Sequence, residues 1–268
     1  MVAFPPGKIN IGLQVLSRRS DGYHDLSTCF YPVPATDVLE IIASDQFRFD
    51  QTGIPIPGVQ ADNLCVKAYG LLREQHELPP VHIHLHKVIP TGAGLGGGSS
   101  DAAYTLRLLN NLFSLNLSAD KLMGYAARLG SDCAFFCQDR AMMGRGRGEI
   151  LSPANASLKG YFLMLIKPPV HVSTAEAYAG ITPEIPLIEL SILLQTPVSA
   201  WKDKVQNDFE KSVFARFPEI AAIKKRCYEA GAVYASMSGS GATVFALFDR
   251  EVTLSGEFTD AWRWSGWL

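Results

Sequence analysis

Residues 90–103 read PTGAGLGGGSSDAA, with five glycines in the seven positions from Gly92 to Gly98 and the polar side chains of Ser99, Ser100 and Asp101 directly after them. Glycines lack a Cβ, so neighbouring backbone N–H groups can crowd around an anion. A helical pattern follows the loop, and a helix start adds unpaired N–H groups and a positive dipole end. The ligand such a segment suits is a polyphosphate. A tight turn needs only one or two glycines, so turn-making alone does not account for a run this dense.

Three nucleotide-binding patterns compete for this loop. A Walker A loop ends in Gly-Lys-Ser/Thr, but Gly98 is followed by Ser99, so the lysine that reaches the outer phosphates is missing. The dinucleotide pattern G-x-G-x-x-G is met literally by Gly92, Gly94 and Gly97. It also asks for an acidic ribose ligand about 20 positions on, and the one candidate, Asp120, stands at a helix start. The third pattern, P-x-G-x-G-L-G-x-x-S-S/A, is met at every defined position. On this segment the chain resembles the GHMP kinases, and PPGKINI at residues 5–11 and MSGSGATVF at residues 237–245 carry the same resemblance in the same order. It spans nearly the whole chain, with Gly7 standing where the family usually has alanine. GYH at residues 22–24 and DNL at residues 62–64 narrow it to members whose acceptor is a diphosphocytidyl-linked polyol.

The resemblance implies a two-domain α+β fold, with an N-terminal nucleotide-binding domain and a C-terminal ferredoxin-like α/β sandwich. It implies ATP and Mg2+ as co-reactants, and phosphorylation of the 2-hydroxyl of a diphosphocytidyl-methylerythritol in isoprenoid-precursor biosynthesis. Other acceptors in the family, such as mevalonate, homoserine or a sugar, are the alternative that GYH counts against. A nucleotide sensor without turnover is the alternative that the presence of both Lys8 and Asp132 counts against.

Residue by residue, the resemblance makes Lys8 and Asp132 the catalytic pair. It gives ATP the loop Pro90, Thr91, Gly92, Ala93, Gly94, Leu95, Gly96, Gly97, Gly98, Ser99 and Ser100, with Asn63 near the adenosine. Phosphoryl transfer to an alcohol needs a proton acceptor and positive charge near the moving group, which Asp132 and Lys8 would supply. Asp132 also reads as the N-cap of a following helix, and Lys8 as a strand-edge lysine. Asn10 shares the strand face of Lys8 and could reach the acceptor. Tyr23 and His24 offer a ring face and polar atoms to a cytosine, with Tyr178 as a second ring face or a packed tyrosine. Asn63 reads equally as a helix cap. Ser238, Gly239, Ser240 and Gly241 form the C-terminal glycine motif. The metal ligands are left open.

The elements that must position these residues follow from periodicity. Strands are expected over 8–16, 37–43 and 81–89, and helices over 64–75, 101–112 and 119–129, with Ser118 as a cap and Gly130 as a stop. After a polar stretch at 152–160 an apolar strand YFLMLI begins, so the domains are expected as residues 1–155 and 156–268. Helices near 205–216 and 219–230 and a strand TVFALF complete the second.

Composition narrows the rest. With 47% hydrophobic residues and 19% charged residues, 268 residues can bury a core without disulfides. The net charge of -2 offers no broad basic field, so nucleic acid is not an expected partner. No apolar run is long enough for a bilayer, and the first residues lack a signal-peptide pattern, so the expectation is a cytoplasmic protein. The five cysteines are scattered and read as core thiols, with Cys133 and Cys137 able to share a helix face. His82, His84 and His86 alternate along a strand and read as its polar face rather than a metal triad. Gly144, Gly146 and Gly148 read as a hairpin, and Trp262, Trp264 and Trp267 as terminal packing.

Overall fold

The structure is a computed structural model that describes residues 1–254 and 256–268. In chain order it runs β1 (Val2–Ala3), β2 (Pro6–Arg18), β3 (His24–Thr36), β4 (Val38–Ala43), β5 (Arg48–Gly53), α1 (Leu64–His76), β6 (Val81–Lys87), α2 (Gly97–Leu112) and α3 (Ala119–Leu129). It continues through β7 (Met142–Arg145), β8 (Ile150–Pro153), β9 (Phe162–Lys167), α4 (Thr174–Ala179), α5 (Leu190–Leu193), α6 (Phe209–Arg216), α7 (Pro218–Glu229), β10 (Tyr234–Met237), β11 (Val244–Phe248) and β12 (Trp262–Trp267). Strands and helices do not alternate regularly, as an α+β chain requires.

Two compact units emerge. One comprises Met1–Gly7, Ala35–Thr91 and Gly96–Asp139, the other Lys8–Pro34, Gly92–Leu95 and Arg140–Leu268. The expected division near residue 155 follows sequence order, whereas these units interleave, and the glycine loop itself contributes to each.

In the first unit the sheet order is β1-β4-β6-β5, antiparallel except where β5 runs parallel to β6. Alternation in β6 sends Val81, Ile83 and Leu85 inward, where they pack with Leu72 of α1, Leu106 of α2 and Ala126 of α3. The other face carries the three histidines, each with a partner on β5. His82 Nε2 meets Asp50 Oδ2 at 2.7 Å, and the Thr52 hydroxyl lies 2.9 Å from both His84 Nε2 and His86 Nδ1. Ser118 caps α3 by accepting from Lys121 N, and Gly130 ends it. Helix α2 begins four residues earlier than periodicity suggests, because Gly96 turns left-handed at φ 67° and lets the glycines and serines form the first turn.

The same alternation puts Lys87 on the core face of β6, fully buried. Its ammonium lies against Asp37 Oδ2 and, at 2.8 Å, Asp101 Oδ2. Asp37 Oδ1 accepts from Val88 N at 2.6 Å and Ile89 N at 2.8 Å, which fixes the strand end leading into the loop. Burial alone would push the lysine down, but the two carboxylates outweigh it and hold it above the ordinary lysine range. Burial, offset in part by Lys87, lifts Asp101 to about 7.

In the second unit a sheet of order β10-β11-β9-β12 is antiparallel throughout. Its helix-facing side gathers Met164, Ile166, Ala235, Val244 and Ala246 with Phe209 and Val213 of α6 and Ile220 and Ile223 of α7. A further sheet of order β2-β3-β7-β8 ends in the hairpin formed around Gly146 and Gly148. The terminal tryptophans form β12, an edge strand paired to β9 with Trp264 opposite Leu165. Strand β3 escapes periodicity because Ser27, Thr28, Pro32 and Pro34 break up its apolar pattern. The five cysteines are free, and four of them are buried.

Asp101 holds its proton to a higher pH when folded than its ordinary 3.8 allows when unfolded. Between about pH 4 and 7 the folded chain therefore binds more protons, and this group's contribution to stability declines as pH rises across that window. Urea midpoints for Asp101→Asn and the parent, compared at about pH 5 and about pH 8, are expected to shift in favour of the asparagine variant at the higher pH. A difference that does not move with pH would show that this carboxyl ionises normally.

Candidate active site

Three distant segments meet around one peptide, all in the second unit. Lys8, at the start of β2, donates from its backbone N to Leu95 O at 2.9 Å and from its Nζ to Gly94 O at 2.9 Å. Ser238, just past β10, donates from Oγ to the same Gly94 oxygen at 2.8 Å and accepts from Asn10 N at 3.2 Å. Thr243 N donates to Ala93 O at 3.3 Å. The PGKIN, GAGL and SGSGAT segments thus interlock through backbone polar groups. Gly94 has φ 76°, and a Cβ there would lie 2.1 Å from Ser238 O, so no other residue fits.

Lys8 is 3% exposed and Asn10 is 2% exposed. Lys8 Nζ also donates to Asn10 Oδ1 at 2.5 Å and lies 5.5 Å from the Phe30 ring centre. Asn10 Nδ2 donates to Thr28 Oγ1, which in turn donates to Gly12 O at 2.6 Å. The same-face expectation for Lys8 and Asn10 holds, and the asparagine amide is engaged by its neighbours at both ends. Thr28 carries no sequence signal for this role.

The C-terminal glycine motif is a closed turn. Ser238 N donates to Thr243 O and Gly241 N donates to Ser238 O, with Gly239 and Gly241 at φ 58° and 95°. Asn207 secures it from outside, donating from Nδ2 to Met237 O at 2.7 Å and Gly239 O at 2.8 Å. Nothing in the sequence singles out Asn207.

The remainder of the loop belongs to the first unit. Helix α2 has no side-chain cap, which leaves its first N–H groups to a ligand or water. The Ser100 hydroxyl and Asp101 Oδ1 are buried without a hydrogen-bond partner. Ser99, by contrast, is half-buried, and burial pushes the thiol of Cys133 up to about 11. A pocket of about 190 Å³ is lined by Asn63, Leu64, Lys87, Thr91, Gly98 and Asp101. Asn63 caps α1 by accepting from Cys65 N at 2.9 Å, so its cap role and its place at the pocket coexist. Asp132 is half-buried in the turn after α3. The segment after it is a single 3-10 turn, Phe135–Cys137, capped by Ala134, so Asp132 does not open a helix and Cys133 and Cys137 do not share a helix face.

The ring residues lie in the second unit. His24 stacks on Tyr178 with centroids 4.7 Å apart and planes 17° from parallel, and Tyr178 packs edge-on against Phe209. Tyr178 is therefore at once a packed tyrosine and one face of a ring stack. Tyr23 stands apart from that pair, 56% exposed, with the Arg147 guanidinium 4.9 Å from its ring centre.

Residues 63–140 match the GHMP kinases N terminal domain, and residues 195–255 match GHMP kinases C terminal. The chain is 48% identical over 270 residues to 4-diphosphocytidyl-2-C-methyl-D-erythritol kinase of Parabacteroides distasonis, covering 100% of both chains. It is 51% identical over 255 residues to the kinase of that name from Bacteroides fragilis, covering 94% of this chain and 93% of that one. A crystal structure of 4-(cytidine 5'-diphospho)-2C-methyl-D-erythritol kinase superposes with TM-score 0.83 at 30% identity, covering 99% of this chain and 98% of that chain. The mevalonate kinase of Methanococcus jannaschii superposes with TM-score 0.70 at 12% identity, covering 99% of this chain and 97% of that one, which is a likeness of fold.

Two glycines separate packing from ligand approach. At Gly98 an added Cβ meets only Leu64 Cδ1, at 4.0 Å. Gly98→Ala is expected to keep its urea midpoint, while Gly94→Ala loses about 2 kcal/mol or more through strain and collision. Equal stability of the two variants would contradict the packing described at Gly94.

Proposed function

Because the chain belongs to the GHMP kinase family, we propose that it transfers the γ-phosphoryl group of ATP to the 2-hydroxyl of 4-diphosphocytidyl-2-C-methyl-D-erythritol, releasing ADP, as a step in isoprenoid-precursor biosynthesis. The observation that carries this reading is the full-length likeness to kinases of that name. A cytoplasmic setting, where ATP is available and thiols stay reduced, belongs to the same proposal.

In this reading the ATP phosphates lie along the backbone of residues 90–100, against the uncapped start of α2. Mg2+ arrives with ATP as part of the substrate. The half-buried Ser99 hydroxyl suits it as an oxygen ligand, or suits the phosphate as a donor, whereas Ser100 is fully buried beneath the loop. The adenosine occupies the pocket beside Asn63 and Thr91, where Gly98 leaves room. His24, Tyr178 and Tyr23 supply the flat faces that a cytosine ring requires.

The chemistry assigned to the chain is proton removal and charge neutralisation. The acceptor oxygen attacks the γ-phosphorus, the bond to the β–γ bridging oxygen breaks, and the hydroxyl proton passes to the Asp132 carboxylate. The Lys8 ammonium offsets the negative charge on the attacking oxygen and the phosphoryl group. Its anchors on Gly94 O and Asn10 Oδ1 hold that charge in a fixed direction before substrate arrives.

Coupled ADP release with ATP and Mg2+ is expected with the diphosphocytidyl acceptor and not with mevalonate, homoserine or galactose. Turnover with one of the latter instead would reassign the acceptor. Asp132→Asn is expected to bind ATP normally and to lose roughly 10²- to 10⁴-fold in kcat; near-parent turnover would remove it from the base role. Gly96→Val, which forces a branched side chain to φ 67°, is expected to abolish ATP binding, and an unchanged Kd would mean the phosphates bind elsewhere.

A further inference from the structure

Asn207 and the Ser238 hydroxyl lie outside the chemistry assigned so far, yet both connect to the Lys8 ammonium through buried hydrogen bonds. Gly94 O accepts from Lys8 Nζ at 2.9 Å and from Ser238 Oγ at 2.8 Å. Ser238 is fully buried, and its oxygen also accepts from Asn10 N, in the residue whose side chain accepts from Lys8. The hydroxyl therefore holds two of the groups that orient the ammonium. With Gly94 at φ 76° no side chain of its own restrains this peptide, so its direction rests on these contacts together with those to Ala93 O and Leu95 O.

Asn207 fixes the turn that carries the hydroxyl. Its amide nitrogen serves the carbonyls on either side of Ser238, those of Met237 and Gly239, and its Oδ1 accepts from Phe209 N at 3.0 Å. Its flanking backbone is bound to β2, with Leu13 N donating to Gln206 O and Asp208 N donating to Leu13 O, both at 2.9 Å. Asn207 thus ties the serine turn to the same strand that begins with Lys8 and Asn10.

We infer that Asn207 and Ser238 are positioning residues for Lys8, with Asn207 holding the 238–241 turn and Ser238 aiming the Gly94 carbonyl at the ammonium. A trans peptide's C=O and N–H point opposite ways. The contact that steers the carbonyl towards Lys8 therefore also turns the Leu95 N–H away from it, in the loop assigned to the phosphates. One hydroxyl sets the direction of the lysine and of a loop amide together. The inference rests on the catalytic role proposed for Lys8.

The test is a double-mutant cycle on the full chain. Ser238→Ala is expected to lower kcat roughly 10- to 100-fold, the scale of a small misplacement, with the acceptor KM within about twofold of the parent. In the Lys8→Met background the same change is expected to cost less than about twofold, because the group it positions is gone. An equal loss in both backgrounds, or no loss in either, overturns the inference. A Lys8→Met variant with parent kcat overturns the role of Lys8 itself, which is a separate failure. Lysine side-chain NMR gives a readout independent of turnover. The Lys8 ε-CH2 resonance, assigned by its loss in Lys8→Met, is expected to move in Ser238→Ala while other lysines stay, and an unmoved resonance also overturns the inference. Asn207→Asp adds a pH signature. Its carboxylate cannot donate to the two carbonyls but its protonated form can donate to one, so its kcat relative to the parent is expected to rise as pH falls; a constant ratio overturns the role of Asn207.

Discussion

The Gly94 carbonyl oxygen holds the second unit's functional segments together. It accepts from Lys8 and from Ser238, residues 86 and 144 positions away in the chain. Each donor would face a desolvation cost if buried alone, and sharing one acceptor satisfies both. The constraint runs in both directions: the two donors keep a glycine peptide in one orientation, and the glycine allows the Ser238 backbone to approach closer than any Cβ permits. Motifs that look like three separate signatures are physically one assembly.

A second constraint acts on the strand that feeds the loop. Lys87 is buried between Asp37 and Asp101, with Asp37 also gripping the backbone of Val88 and Ile89. Such a cluster is a weak source of stability, since desolvating three ionisable groups costs about as much as their attraction returns, while removing one partner typically costs about 3–5 kcal/mol. Its value lies in direction. The lysine joins the end of β6 to the first turn of α2, and an added Cβ on Gly97 would lie 2.8 Å from its Nζ, so the loop's fourth glycine is needed for packing. The dense glycine run thus serves several masters: backbone conformation at Gly94 and Gly96, close approach at Gly94 and Gly97, and open space at Gly98.

Much of this was legible in the sequence. Strands with clean alternation fell where periodicity put them, as did α1 and α3, because burial of one face dictates both spacing and element, whereas α2 starts four residues early in the glycines and α6 starts only at Phe209. Ser118 and Gly130 marked the ends of α3 for local reasons that need no tertiary context. Lys87 could also have been found, since alternation from Val81 places it on the buried face, where a lysine must meet a counter-charge. Strand β3 could not, because its polar and proline residues hide a strand that tertiary pairing supports. The turn at Asp132 was missed for a similar reason: Asp suits a helix cap, and only the packing of the following residues decides against a full helix.

The amino-acid sequence by itself determined the family, the glycine-dense loop with a helix behind it and the residue types gathered in its motifs, because these reside in short patterns whose chemistry is local. Tertiary structure alone decided that Ser238 and Lys8 share an acceptor, that Asn207 clasps the turn between them, and that His24 stacks on Tyr178 while Tyr23 stays exposed. Those are contacts between residues up to 228 positions apart. No local propensity encodes such a contact, since its partners become neighbours only when the sheets and helices bury their apolar faces together.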